Sequence, residues 1–250
     1  MSVNIYTTTG YMRLDSWVMA HILQLGTMSF CRRFIGYDVD PKGRWLDQMT
    51  QAARSVTANV AEGSARHQTS LETEMKLVDV ARASLNELAN DFMFWLMLHD
   101  KACWSCQDSS YNAVRQLRLD KPDYDADDLR LREAMLHIMS QRKRFSEWID
   151  NDDAEVCANA LLVLCQRLMK MLDHQIEGIL NYFRENGGFA ENMTQERLEA
   201  RKEKSVNEGA PKCPICGKPM LKKTAKRGMN SGHQFWSCSD YPKCNGTRSC

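Results

Sequence analysis

The chain has 250 residues, 43% of them hydrophobic and 26% charged, with a formal net charge of +1. This is room for one medium domain plus a small one, and enough apolar content for a packed core, which excludes a disordered chain. No apolar run reaches the ~18 residues needed to span a bilayer, and the N-terminus lacks a charged start followed by an apolar core, so the expectation is a cytoplasmic protein with no membrane association.

The net charge hides an asymmetry. Residues 211–250 hold eight Lys or Arg against one Asp, a net of +7. Positions 1–210 keep 25 of the 33 basic and 31 of the 32 acidic residues, a net of −6. The body is acidic and the end of the chain basic.

Only Pro41 and Pro122 interrupt the first 210 residues, and apolar residues recur there at helical spacing. A first helix is expected over 9–34, with Tyr11, Leu14, Val18, Ile22 and Leu25 on one face. After the turn Asp40-Pro41-Lys42-Gly43, a second spans 43–65, with Leu46, Met49, Ala53, Val56 and Val60 in register and Ala52, Ala58 and Ala61 permitting close approach. Thr69 with Glu72 reads as a capping box opening a third helix to about residue 98, striped by Leu71, Met75, Val78, Leu85, Leu88, Phe92 and Trp95.

Residues 100–128 carry only a short helical piece around 111–119, broken by Lys121-Pro122-Asp123. A helix over 127–149 follows. Asp152 as N-cap, with Glu155, opens the last long helix, which reaches about residue 184. Gly187-Gly188 stops it. These stripes predict an all-α, up-down four-helix bundle over 1–186, then a polar linker at 187–211 with a short charged helix at 194–204.

From residue 212 onward the sequence carries chemistry. Cys213 and Cys216 are separated by two residues, Cys238 and Cys244 by five, and the pairs by twenty-one. Four thiolates at these spacings suit tetrahedral Zn²⁺, with Gly217 turning the first knuckle so that amides face the sulfurs. His233 is an alternative ligand, although four cysteines already complete the set. So short a segment cannot bury enough surface to fold alone, so the metal is expected to supply on the order of 10 kcal/mol of its folding free energy.

This segment, with CPICGKPM, FWSCSDYPKC and NGT, resembles the C-terminal zinc finger of bacterial type I topoisomerases over about forty residues. The resemblance implies a small β-ribbon over 212–250 that binds single-stranded DNA, with zinc on Cys213, Cys216, Cys238 and Cys244. No topoisomerase catalytic region is legible in the remaining residues. Phosphate contacts are then expected from Lys222, Lys223, Lys226, Arg227, Lys243 and Arg248, and base stacking from Phe235, Trp236 and Tyr241, one of which serves the ribbon's own core.

The second helix resembles another family. Arg54-Ser55-Val56 and Ala58-Asn59-Val60-Ala61-Glu62-Gly63, supported by Leu85, Glu87 and Leu88, are similar to the signature of the bacterial "four helix bundle protein" family. That family includes proteins encoded in ribosomal RNA intervening sequences and accessory variability proteins of diversity-generating retroelements. The resemblance covers about residues 9–100 and implies a homopentamer and, in the retroelement branch, contact with a reverse transcriptase and its template RNA. Here the body is acidic, which moves nucleic-acid contact to the ribbon.

Ser55, Asn59, Glu62 and Arg66 share one face of the second helix, a polar stripe suited to packing or a subunit interface, and Gly63 lets a neighbouring backbone come close. No nucleophile and base stand together, so catalysis is not expected. Cys103 and Cys106, with His99, offer a redox pair or half a metal site, against the plainer reading of structural cysteines at a helix end. Cys31, Cys157 and Cys165 read as core, and Met135, Met139, Met169 and Met171 as gap-fillers. Arg142-Lys143-Arg144 reads as a solvated face.

The expected function is a non-enzymatic, oligomeric accessory protein gripping single-stranded DNA or RNA through its zinc ribbon. The alternative is a scaffold that docks a nucleic-acid enzyme such as a reverse transcriptase, with the ribbon in a structural role.

Overall fold

The computed structural model describes residues 10–67, 69–123, 131–207, 209–227 and 231–250, apart from the side chains of 202 and 205–207. The chain is mostly helical and ends in a small three-stranded antiparallel sheet. It divides into two compact units, Met1–Asn186 and Gly187–Cys250. Among the described residues no helix is long and apolar enough to cross a membrane.

In the first unit a 3-10 turn (Gly10–Arg13) leads into α1 (Asp15–Phe34), followed by α2 (Arg44–Ala65) and α3 (Leu71–Leu98). Then come α4 (Ser109–Gln116), α5 (Leu131–Lys143), the single turn α6 (Ser146–Ile149) and α7 (Ala154–Asn186). The four long helices touch in a closed cycle, α1 with α2, α2 with α3, α3 with α7 and α7 with α1. α2 and α3 each bury one stripe, whereas α1 and α7 are buried all round over 16–20 and 157–161.

The apolar stripes predicted for α2 and α3 form this core. Met49, Val56, Val60, Val78, Leu85, Leu88 and Phe92 are fully buried, and Phe30 of α1 meets Phe92 and Trp95 edge-on at 5.3 and 5.2 Å. Gly63 does allow close approach: a Cβ there would stand 3.3 Å from the backbone oxygen of Glu74. Cys31, Cys157 and Cys165 are core residues as expected. Burial pushes the Cys31 thiol up to about 12 and raises Cys165 as well, leaving both inert.

Several local expectations shift. The cap of α3 is Ser70 rather than Thr69, its Oγ accepting from the Thr73 N–H at 3.1 Å. Glu72 instead pairs with Lys76 at 2.6 Å. At α7, Asp153 Oδ1 accepts from the Glu155 N–H at 2.8 Å, whereas Asp152 faces Arg33 at 3.3 Å. Asn-Asp-Asp offers three adjacent capping residues, and the tertiary ion pair decides which one caps.

Leu25 is 39% exposed, outside the face predicted for it. The helix expected over 127–149 breaks after Lys143, because Phe145 is fully buried and its N–H bonds to Arg142 O in a tighter turn. The expected start of that helix lies outside the described residues. Met135 and Met139 are 53% and 58% exposed and fill no gap, whereas Met169 and Met171 do pack on the core.

Of the basic run at the end of α5, Lys143 and Arg144 are exposed as expected, but Arg142 clasps Asp150 with two hydrogen bonds and Arg144 pairs with Asp120 at 2.7 Å. The segment after α3, unreadable from pattern, is fixed by two polar side chains of α7. Buried Asn159 accepts from the Trp104 N–H at 2.7 Å and donates to Ala102 O at 3.1 Å. Arg167 donates to Val114 O and Leu117 O, each at 2.6 Å. Each clamp replaces hydrogen bonds that loop backbone would otherwise make to water.

His67 follows α2 and meets the buried carboxylate of Glu74 at 2.6 Å. That hydrogen bond, working against partial burial, raises the His67 pKa above its ordinary value. A raised folded-state pKa contributes stability fully present below the unfolded value, about 6.5, and lost as pH climbs through the folded one. His67→Gln is therefore expected to lower the thermal midpoint at about pH 5.5, with the difference from the parent shrinking by about pH 9. A pH-independent difference between the two melting curves would contradict this.

Candidate metal centre

The second unit starts with α8 (Phe189–Asn207) and continues as β1 (Met220–Thr224), β2 (Gln234–Cys238) and β3 (Thr247–Ser249). The helix is longer than the 194–204 expected of a linker, and its described side chains are all exposed. The sheet order is β1-β2-β3, antiparallel throughout.

The sheet exists to place two knuckles. Pairing of Met220 with Cys238 brings the end of β2 beside the turn that carries Cys213 and Cys216. That turn is closed by the Gly217 N–H on Cys213 O at 3.0 Å, with Gly217 at φ +72, and by the Cys213 N–H on Lys218 O at 2.8 Å. The second knuckle is closed by the Cys244 N–H on Asp240 O at 3.1 Å. Lys218 and Asp240 then join the two turns by an ion pair of 2.8 Å.

The result is that the sulfurs of Cys213, Cys216, Cys238 and Cys244 all lie within 4.8 Å of one another. Cys213 and Cys244 are 3.7 Å apart, and Cys216 and Cys238 3.4 Å. A tetrahedral ion with metal–sulfur bonds near 2.3 Å needs sulfur separations of about 3.8 Å. The donor set fits a metal ion, and all four predicted ligands come together while His233 stays outside the cluster.

Backbone amides complete the environment. The Asp240 N–H donates to Cys238 Sγ at 3.4 Å, and the N–H groups of Cys216 and Ile215 turned toward Cys213 lower its pKa to about 7. Such donors stabilise thiolate charge and orient the ligands. Cys213, Cys238 and Cys244 are buried with Met220 in a core of their own, and Trp236 packs against it.

Gly246 is a residue that spacing could not flag. A Cβ on it would fall well inside van der Waals contact distance of Cys213 Sγ and 3.7 Å from Cys244 Sγ, while its carbonyl accepts the Cys238 N–H at 2.9 Å. The only signal was its place in the NGT stretch after the last cysteine.

The predicted cations lie along the sheet and its turns. Lys222, Lys223, Lys226, Arg227, Lys243 and Arg248 are exposed, and none has a carboxylate within ion-pair distance among the described residues. Register sets Lys222, Trp236 and Arg248 in one row across the three strands, and Lys223 and Phe235 in the next. Side chains of neighbouring rows point to opposite faces. Trp236 is thus the aromatic that serves the ribbon's core. Phe235 is half-buried, and Tyr241 is 60% exposed with Lys223 Nζ 5.2 Å over its ring.

In the helical unit the predicted polar stripe divides. Asn59 donates to Ser55 O and Oγ at 2.9 and 3.1 Å, and Ser84 of α3 donates to Ser55 Oγ at 3.0 Å. Both residues line an open polar cleft of about 810 Å³ between α2 and α3. Glu62 and Arg66 are an exposed pair at 4.0 Å. Cys103 and Cys106 are exposed and belong to no metal-binding group found among the described residues.

No protein-family model, curated protein or solved structure matches this chain.

Gly246→Ala is expected to weaken metal binding by at least about tenfold in competition with a chelator, because the Cys213 sulfur must give way. Unchanged metal retention in a folded variant would show that the close approach is not required.

Proposed function

We propose that this chain is a non-enzymatic, oligomeric accessory protein that holds single-stranded DNA or RNA through a zinc-loaded ribbon. The reading takes α1, α2, α3 and α7 as an up-down four-helix bundle of the family its second helix resembles, assembling copies of the chain as a homopentamer. The rim of the polar cleft at Ser55 and Asn59, with Glu62 and Arg66, is the proposed contact between copies. The ion at the four cysteines is taken as Zn²⁺, since four thiolates suit zinc and leave no open position for a catalytic water.

The observation that carries this reading is a ribbon with six exposed cations lacking carboxylate partners among the described residues, beside two accessible rings, Phe235 and Tyr241. Cations without partners attract phosphate, and rings on the same small sheet accept unstacked bases regardless of sequence. Lys223, between Phe235 and Tyr241, would contact the backbone of a strand whose bases stack on both. Several ribbons on one particle would raise the effective concentration of each after the first binds.

If about five of the cations engage, affinity for a single-stranded oligonucleotide should fall with salt at a log-log slope of about −3 to −4. Phe235→Ala and Tyr241→Ala should each cost about tenfold, with metal content unchanged. A flat salt response would sink the reading.

The acidic body of the chain, net −6 over residues 1–210, favours a second reading. There the bundle docks a basic surface of a nucleic-acid enzyme such as a reverse transcriptase, and the ribbon is structural. Under it the oligonucleotide affinity would be weak and indifferent to Phe235→Ala, while the chain would bind the enzyme in a salt-sensitive manner.

A further inference from the structure

A cleft of about 370 Å³ opens within the helical unit between α3, α4 and α7, sharing no lining residue with the polar cleft on α2. This is within the size range of small-molecule sites. Its floor is apolar, formed by Leu85 and Ala89 of α3 and Val163 and Met169 of α7. Arg115, Arg167 and Lys170 bring three cations to it.

The charges there are not balanced. Asp173, the carboxylate in the lining, faces Arg82 Nε at 2.9 Å. Arg115 donates to the hydroxyl of Tyr111 at 2.7 Å, and Arg167, its guanidinium 5.5 Å over the Phe145 ring, gives two of its five N–H donors to the carbonyls of Val114 and Leu117. None of the three cations has a carboxylate within ion-pair distance among the described residues. Arg167 is moreover half-buried, and burying a guanidinium without a counter-charge is unfavourable unless something supplies one.

α4 is what makes the cleft. Without the segment that Asn159 and Arg167 clamp to α7, the apolar stretch of α3 and α7 would lie open and Arg115 and Tyr111 would be absent from it. This clamped helix adds Val114 to the core and also walls an apolar floor and brings a cation to it.

We propose that this cleft binds a small amphipathic organic anion, a carboxylate with an aliphatic or flat aromatic body, the acid group at Arg115, Arg167 and Lys170 and the body on Leu85, Ala89 and Val163. The site is independent of the ribbon and of its proposed function. An apolar body displaces water from the floor, and the acid supplies the missing counter-charge.

The test is calorimetric titration of the full-length protein with decanoate, with indole-3-acetate, and with decanol as the uncharged control. At least one acid should bind saturably, one per chain, and decanol at least about tenfold more weakly. Arg115→Gln and Lys170→Gln should each weaken the acid about tenfold while leaving the unliganded thermal midpoint in place. Ala89→Phe, which fills the floor, should abolish binding; if that variant does not fold, the two charge variants decide alone. The proposal is overturned if neither acid saturates by about 1 mM, if decanol binds as tightly as decanoate, or if the charge variants bind the acid like the parent.

Discussion

Four sulfurs within 4.8 Å of one another are hard to hold as free thiolates, since like charges at that distance repel, and they offer little as a hydrophobic core. The buried apolar cluster of the second unit is small: three of these cysteines and Met220, with Trp236 against them. Everything in the ribbon that bears on function depends on how this contradiction is resolved. An ion that neutralises the thiolates turns the repulsion into the unit's main cohesive term. The register that sets Lys222 beside Trp236 and Arg248, and Lys223 beside Phe235, then follows from where the two knuckles are pinned.

The helical unit solves the opposite problem by ordinary means. Its core runs through four long helices, closed by aromatic contacts around Phe30 and by the approach at Gly63. Its charge is acidic, and part of it is spent on internal links such as Arg142 with Asp150 and Lys101 with Glu155. The ribbon carries six exposed cations, and the cleft that α4 walls three more, with no carboxylate in ion-pair distance among the described residues. The two units therefore present different chemistry to solution.

What could be read from sequence follows the range of the interactions involved. The stripes of α2 and α3 were legible because helical period is local, and the four cysteines because ligand spacing is. Caps were legible only as a neighbourhood: Ser70 beside Thr69, and Asp153 beside Asp152, are chemically near-equivalent, and of the last pair Asp152 is the one that faces distant Arg33. The segment after α3 was illegible because its order comes from Asn159 and Arg167, some fifty residues away in sequence. Gly246 was missed because its requirement is the nearness of a sulfur thirty-odd residues earlier, which no pattern encodes. Likewise the exposure of Met135 and Met139 is decided by which face of α5 meets α1.

The central claim is that a metal-organised ribbon is the part of this protein that holds nucleic acid. It is tested most directly by following a fluorescent single-stranded oligonucleotide on the full-length protein through metal removal and zinc restoration, with helicity recorded in parallel. Chelation should release the oligonucleotide, zinc should restore binding, and the helical signal should stay nearly constant throughout. Oligonucleotide binding that persists undiminished on metal-free protein would contradict it.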